Sequence, residues 1–525
     1  MHLRVVTKRR GDHIYRSAQI VERVYVDGRA RNNIIKHLGP VKDEKDLEQY
    51  RKIFAIEKRR KEIEHADLRG LTILPARSFG MIYASRVLIH DLGLDPVFDI
   101  LGDHSDILLL SVISRLTDPG SDLDLLRYLD GVYFTGIGQI KKDQVYSMLD
   151  DLIEKKDRIE QAIISALKPD MRRVYYDLTS TYFEGKEKND LVLFGYSRDK
   201  KRGKKQINIG LMMADGIPIH HEVFPGNTVD PKTLRKIHGD LRKRFHTGRV
   251  IFIGDRAFGR KPSLQYLDKN EYITAVYRWD QPYRSILTNA EFNETDHLND
   301  LDLYAMEVDV KWNVKGLSRS EIKRSRNRRA IAVYSPDRER EDIADIEEKV
   351  SIVKTIISSG RKGSDLNDAL GKLRSYTKSN GTELNEERIS DMKKLAGRFM
   401  IVSDTDLHIV DIVKGYKDLW KIERSFRTIK SFLEIRPVYH RKEERIEAHV
   451  FVCVLSLLMA RLFEKAMSDE MTISRISSIL EELQAIPLKI DEGTIIRSTE
   501  SGRARSLLEK LKIPYPKKVI DTLTN

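Results

Sequence analysis

Cysteine is almost absent from this chain. Cys453 stands alone among 525 residues, so no internal disulfide forms, and no Cys/His spacing of a zinc site occurs. It lies in an apolar run and is expected as a small buried hydrophobe. Long apolar stretches are scarce too. The longest, Val450 to Ala460, falls short of a bilayer's thickness, and the opening residues MHLRVVTKRRGDH lack the apolar core of a signal peptide. No membrane partner is therefore expected, and the location expected is cytoplasmic. There is no catalytic Ser or Cys motif. Residues 78–168 hold neither a Walker loop nor a dinucleotide fingerprint.

Charge is what the chain has in excess. Lys and Arg number 93 against 80 Asp and Glu, for a net charge of +13. A surface of that sign favours a polyanionic partner, without saying anything of the fold. Charged residues make up 33% and hydrophobic ones 40%, the balance of a globular chain rather than a disordered one. The length predicts roughly three or four domains.

Residues 1–42 read as a small basic β module, with a hairpin dipeptide at Asp27-Gly28. It is either a DNA-binding surface or a solubilising one. Asp43 to Leu68 predicts a charged connecting helix, and residues up to 168 predict further helices, a region available for end binding. From Arg173 the pattern changes. Val174 to Tyr176 is a short β run ending on Asp177. Gln206 to Ala214 and Ile217 to Phe224 read as strands around the turn Asp215-Gly216. Residues 231–245 predict a helix, Val250 to Gly254 an apolar strand ending on Asp255, and Tyr272 to Tyr277 another strand. These describe a mixed α/β sheet over 170–278. The polar interval 279–396 reads as an insertion with β runs and helices. Arg398 to Ser403 resumes the sheet within 397–467, and residues 468–525 predict a helical tail.

The stretch Tyr416 to Lys430, YKDLWKIERSFRTIK, predicts the middle of one helix from about His408 to Leu433. Tyr416, Glu423 and Lys430 are seven residues apart, so each step drifts only about 20° around a helix. Arg427 and Trp420 flank that stripe. The same residues also suit a solvated helix face, with Glu423 and Arg427 as an i,i+4 pair. Asp177, Asp255 and Glu423 together offer three carboxylates without a His or Cys cage. That donor set suits hard cations such as Mg²⁺ or Mn²⁺, two of which clamp an in-line phosphoryl displacement.

These residues carry a resemblance. Tyr416, Glu423 and Lys430 match the signature Y-x2-R-x3-E-x6-K of one branch of the DDE-type insertion-sequence transposases, with Leu419 in the arginine's place. GYSRDKKRGKKQINIG (Gly195 to Gly210), FPGNTVD (Phe224 to Asp230), GDRAF (Gly254 to Phe258) and PVYHRKEERIEAH (Pro437 to His449) resemble that branch as well. The resemblance implies an α/β, ribonuclease-H-like mixed sheet with flanking helices, interrupted by a β-containing insertion. It implies Asp177, Asp255 and Glu423 as ligands of Mg²⁺ or Mn²⁺, two ions in number, and Tyr416 and Lys430 as DNA contacts. Arg427, one turn beyond Glu423, is expected from its place on the helix to contact a further phosphate, unless it only pairs with Glu423. The activity implied is cleavage at the ends of a mobile element and strand transfer to target DNA. The implied partners are double-stranded DNA and a second copy of the chain, at a prokaryotic nucleoid. A nuclease on the same core, and a non-catalytic DNA-binding regulator, remain as alternatives.

Two basic runs fit such a partner: Arg198 to Lys205, and Lys315 to Arg329 in the insertion. Both also suit solvated faces. Trp312 is read as a core residue or a base-stacking one, and His449 as a hydrogen-bonded structural histidine.

Overall fold

The computed structural model describes the chain apart from residues 11–12, 27–28, 65–70, 184–188, 196–202, 229–232, 234–249, 261–262, 265–270, 311–327, 437, 491–492 and 525. The Asp27-Gly28 turn, the helix expected over 231–245, Trp312 and most of both basic runs lie outside the described residues. The chain divides into two units, residues 85–126 with 136–474, and residues 1–84 with 127–135 and 475–525.

The larger unit is built on one nine-stranded sheet. In chain order its strands are β1 Arg173–Tyr182, β2 Gln206–Ala214, β3 Ile217–Pro225, β4 Ile251–Gly254, β5 Glu271–Val276, β6 His297–Leu298, β7 Leu303–Val308, β8 Arg329–Tyr334 and β9 Arg398–Ser403. Their order across the sheet is β6-β7-β8-β9-β5-β4-β1-β2-β3. β1, β2 and β3 form an antiparallel meander. Asp215 and Gly216, both at positive φ (50° and 77°), make the two-residue turn between β2 and β3, the backbone that matches strand twist. β4 runs parallel to both β1 and β5. Every residue of β2 and β4 is buried, as expected for apolar runs covered on both faces. Five strands in this order and these directions make the ribonuclease-H-like core.

β9 joins antiparallel to β5, and β8 and β7 follow outward from it. The strands of the 279–396 interval thus extend the central sheet. Its helices instead gather a small core of their own, with Ile346, Val353, Leu366, Leu370, Tyr376 and Ile389.

Helices cover the sheet. They include α1 Ser105–Thr117, α2 Lys142–Glu154, α3 Lys156–Leu167, α4 Pro336–Ser358, α5 Ile409–Lys417, α6 Trp420–Arg427 and α7 Glu443–Ala466. α7 carries the apolar run 450–460, and every residue of that run is buried. The helix carrying that run has 24 residues, and by length and composition alone it would cross a membrane, yet 94% of its most apolar window is buried within the fold. It packs against α1, α2 and β3, and Cys453 is buried on it.

Two expectations need correction. Asp177 lies mid-strand in β1, paired across to Leu211, rather than at a strand end. The helix expected from His408 to Leu433 is broken. α5 stops at Lys417, α6 starts at Trp420, and Thr428–Phe432 winds as a π-helix.

In the smaller unit, His2–Arg10, His13–Val26 and Arg29–Pro40 form a three-stranded antiparallel sheet, followed by the helix Glu44–Glu64. The C-terminal stretch, expected as helical, also carries the strands Gln484–Ile490, Gly493–Ser498 and Val519–Thr524. They form a second sheet with Thr72–Ile73. Alternation in short strands with few turn residues between them gave a weak signal there.

Candidate active site

The parallel ladder between β1 and β4 ends at the pair Tyr176 and Gly254. The next residue on each strand is an aspartate, Asp177 and Asp255. β1 continues beyond this point on its antiparallel partner β2, whereas β4 leaves the sheet. This is why Asp177 sits mid-strand yet beside Asp255. The exit from β4 is a tight turn. Asp255 Oδ1 accepts from the Ala257 N–H at 2.9 Å and its carbonyl from Phe258 N–H at 3.1 Å and from Thr274 Oγ1 at 2.7 Å. Gly254 is required here, because a Cβ would stand 2.6 Å from the Phe258 ring. Asp177 Oδ1 accepts from the Leu178 N–H at 2.7 Å. Both aspartates are half-buried.

The third acid arrives from above the sheet. α5 packs on β4, β5, β7 and β9, and Gly415 permits the approach: a Cβ there would already lie 3.3 Å from Ile253 and 3.4 Å from Ile273. After the break at Asp418, α6 packs on β1 and presents Glu423 exposed.

Tyr416 feels the charge of two of the three acids, Asp255 and Glu423. Burial pushes its phenol above the ordinary value. The charges of Asp255 and Glu423 push the same way, while Arg338 and Arg256 oppose them. Its ring lies 6.0 Å from that of Phe399 on β9.

The other signature positions fare differently. Leu419 is 7% exposed, so the arginine's usual place here faces the interior, where a cation would lose its water. Lys430 is half-buried in the π-helix and Arg427 is exposed. Among the described residues Arg427 makes no ion pair with Glu423.

Sequence reasoning missed a buried network behind this helix. Asp122 Oδ1 accepts from Arg115 Nη2 at 2.8 Å, and Asp122 Oδ2 lies 2.6 Å from His440 Nε2 and 2.8 Å from His449 Nδ1. His449 Nε2 donates to the Ile435 carbonyl at 3.0 Å, the structural role expected of it. Arg115 also donates to the carbonyls of Leu433 and Glu434 at 3.4 and 3.3 Å, the chain just past the π-helix. Burial alone would raise the pKa of Asp122, but the charges of His449 and Arg115 more than offset it and hold it well below the ordinary value.

Asp122, His440 and His449 are close enough together to hold a metal ion. The arrangement does not fit one. The separations are hydrogen-bond lengths, and the guanidinium already supplies the positive charge. The only sequence signal was the pair of histidines in PVYHRKEERIEAH. Asp177, Asp255 and Glu423 fit a hard divalent cation better, since all three offer carboxylate oxygens.

A family profile described as "Transposase DDE domain" matches residues 170–459, more than half of the chain. No curated protein matches the sequence. Among solved structures, the chain is similar to a piggyBac transposase synaptic complex with hairpin DNA. That likeness has a TM-score of 0.39 and 9% identity, over 77% of this chain and 76% of that one. It is similar also to the Mos1 Strand Transfer Complex, with a TM-score of 0.15 and 17% identity, over 29% of this chain and 48% of that one. At these scores neither likeness carries residue correspondence.

Proposed function

Because the chain belongs to the family of transposases with a DDE domain, we propose that Asp177, Asp255 and Glu423 are its catalytic, metal-binding acids. The observation that supports this most is the register of β1 and β4. It sets Asp177 and Asp255 side by side where their parallel ladder ends, beneath the helix that carries Glu423, all within the matched region. The acids would hold Mg²⁺ or Mn²⁺, two ions in number. Bound there, such ions stabilise the attacking and leaving oxygens of an in-line phosphoryl displacement.

The protein's own groups orient the strand. Tyr416, its pKa raised by burial, keeps its proton at neutral pH and offers an O–H to a phosphate oxygen. Arg427 at the end of α6 and Lys430 in the π-helix supply positive charge beyond Glu423. The reaction is cleavage at an element end by water, then attack of the freed 3′-hydroxyl on target DNA. The substrate is double-stranded DNA, element ends and target alike, bound by two copies of the chain. Residues 1–42 and 43–168 are proposed to contribute end binding.

The test is the set Asp177→Ala, Asp255→Ala and Glu423→Ala. Each is expected to lose cleavage and strand transfer while retaining element-end binding in a gel-shift assay. A Glu423→Ala protein that cuts at the normal rate overturns the assignment. Cleaved ends without joined products from the unaltered protein would favour the nuclease reading.

A further inference from the structure

Two arginines, Arg338 and Arg256, act electrostatically on Tyr416 and are not among the groups assigned to the reacting centre. Arg338 lies in the first turn of α4, where Ser335 Oγ accepts from its backbone N–H at 3.3 Å. Its guanidinium is 5.7 Å from the centroid of the Phe399 ring, and Phe399 is the ring that packs 6.0 Å from Tyr416. Arg256 directly follows Asp255, and its guanidinium lies 5.6 Å from the centroid of Tyr277. Both side chains are exposed. Among the described residues no carboxylate pairs with either.

That combination is informative. An exposed arginine without a partner ordinarily samples many rotamers, and one that joins a carboxylate spends its hydrogen-bonding edge there. An aromatic plane holds the guanidinium by its face and leaves the N–H edge free. A free, oriented fork of donors matches the two oxygens of a phosphate. Both arginines also act electrostatically on Tyr416, against the effect of Asp255 and Glu423. Their charge is therefore felt where the acids' charge is felt.

We propose that Arg338 and Arg256 form a phosphate clamp on the DNA strand at the carboxylates, supplying the positive charge that buried Leu419 does not. The proposal rests on the reading of Asp177, Asp255 and Glu423 as the reacting centre. It gives the 279–396 interval a direct part in the site, since Arg338 comes from α4 within it.

Arg338→Gln, Arg338→Lys and Arg256→Gln test it, with a labelled duplex carrying the element end. For each Gln variant the log–log plot of affinity against salt is expected to lose about one unit of slope. Single-turnover cleavage at saturating protein is expected to fall roughly tenfold or more. Arg338→Lys is expected to keep the slope and still cut slowly, because a point charge replaces a planar fork. A merely structural role would change melting temperature and leave the salt slope alone. Wild-type slope and cleavage in both Gln variants overturn the clamp. Asp255→Ala, run in parallel, separates the two readings. If it cuts normally, the reacting centre is misassigned. If it is dead while Arg338→Gln and Arg256→Gln are normal, only the clamp fails.

Discussion

At the scale of single residues, Asp122 illustrates how a buried charge becomes structural. Its carboxylate satisfies Arg115, His440 and His449 together, and Arg115 in turn holds the carbonyls that follow the π-helix. Asp122→Ala would leave a buried guanidinium without its counter-charge. We expect a loss of about 3–5 kcal/mol, read as a lowered urea midpoint, together with slower cleavage because the segment after Lys430 loses its anchor. Leu419 gives the complementary case. Restoring the signature arginine by Leu419→Arg is expected to destabilise the fold by about 2 kcal/mol or more, because a side chain 7% exposed would carry an unpaired cation. A Leu419→Arg protein of full stability with tighter end binding would contradict this.

At the scale of elements, the third acid's helix departs most from expectation. Its sequence has the periodicity of one continuous helix, without Pro. The break at Asp418 arises from packing: Leu419 turns inward, and α5 and α6 settle on different strands, α5 on β4, β5, β7 and β9 and α6 on β1. Periodicity within a helix reports which face is apolar, and both segments do present apolar faces inward. It does not report which surface that face meets. The same limit applies to 279–396. Its β runs were legible, but their pairing with β9 to widen the central sheet is a long-range hydrogen-bonding choice that no local pattern encodes.

At the scale of the whole larger unit, stability should depend on acidity through the packing of α3 on β3. Glu160 of α3 lies 2.7 Å from His220 Nδ1, and Lys156 donates to the His221 carbonyl at 2.6 Å. Burial, and next the charge of Lys156, push His221 from 6.5 down to about 4. Above pH 6.5 the ring is neutral in folded and unfolded chains alike, and this contribution to stability is complete. Between about pH 6.5 and 4 the unfolded chain takes up a proton that the folded one refuses, so stability falls as pH falls. The loss amounts to on the order of 3 kcal/mol at about 1.4 kcal/mol per unit. Glu160 would be raised by burial, but His220 and Lys156 hold its pKa below the ordinary value, so further acidification removes stability in the same direction. Urea midpoints at pH 7, 6 and 5 should therefore fall steadily, and His221→Phe should flatten the trend. An unchanged trend in that variant would refute it.

The sequence alone determined the chemistry on offer. Three carboxylates without histidine or cysteine cages, a basic surface and the spacing from Tyr416 to Lys430 all depend on residue identity, and they were legible without coordinates. So were β2 and β9, whose apolar runs match the observed strands end for end. Tertiary structure decided adjacency. Asp177 stands beside Asp255 because of a register between strand positions 78 residues apart in sequence, and Arg338 reaches Phe399, the ring next to Tyr416, only because α4 follows a strand paired to β9. Those contacts depend on which apolar faces pack together and which backbone groups pair. Both are settled by the whole chain's burial rather than by any segment's composition.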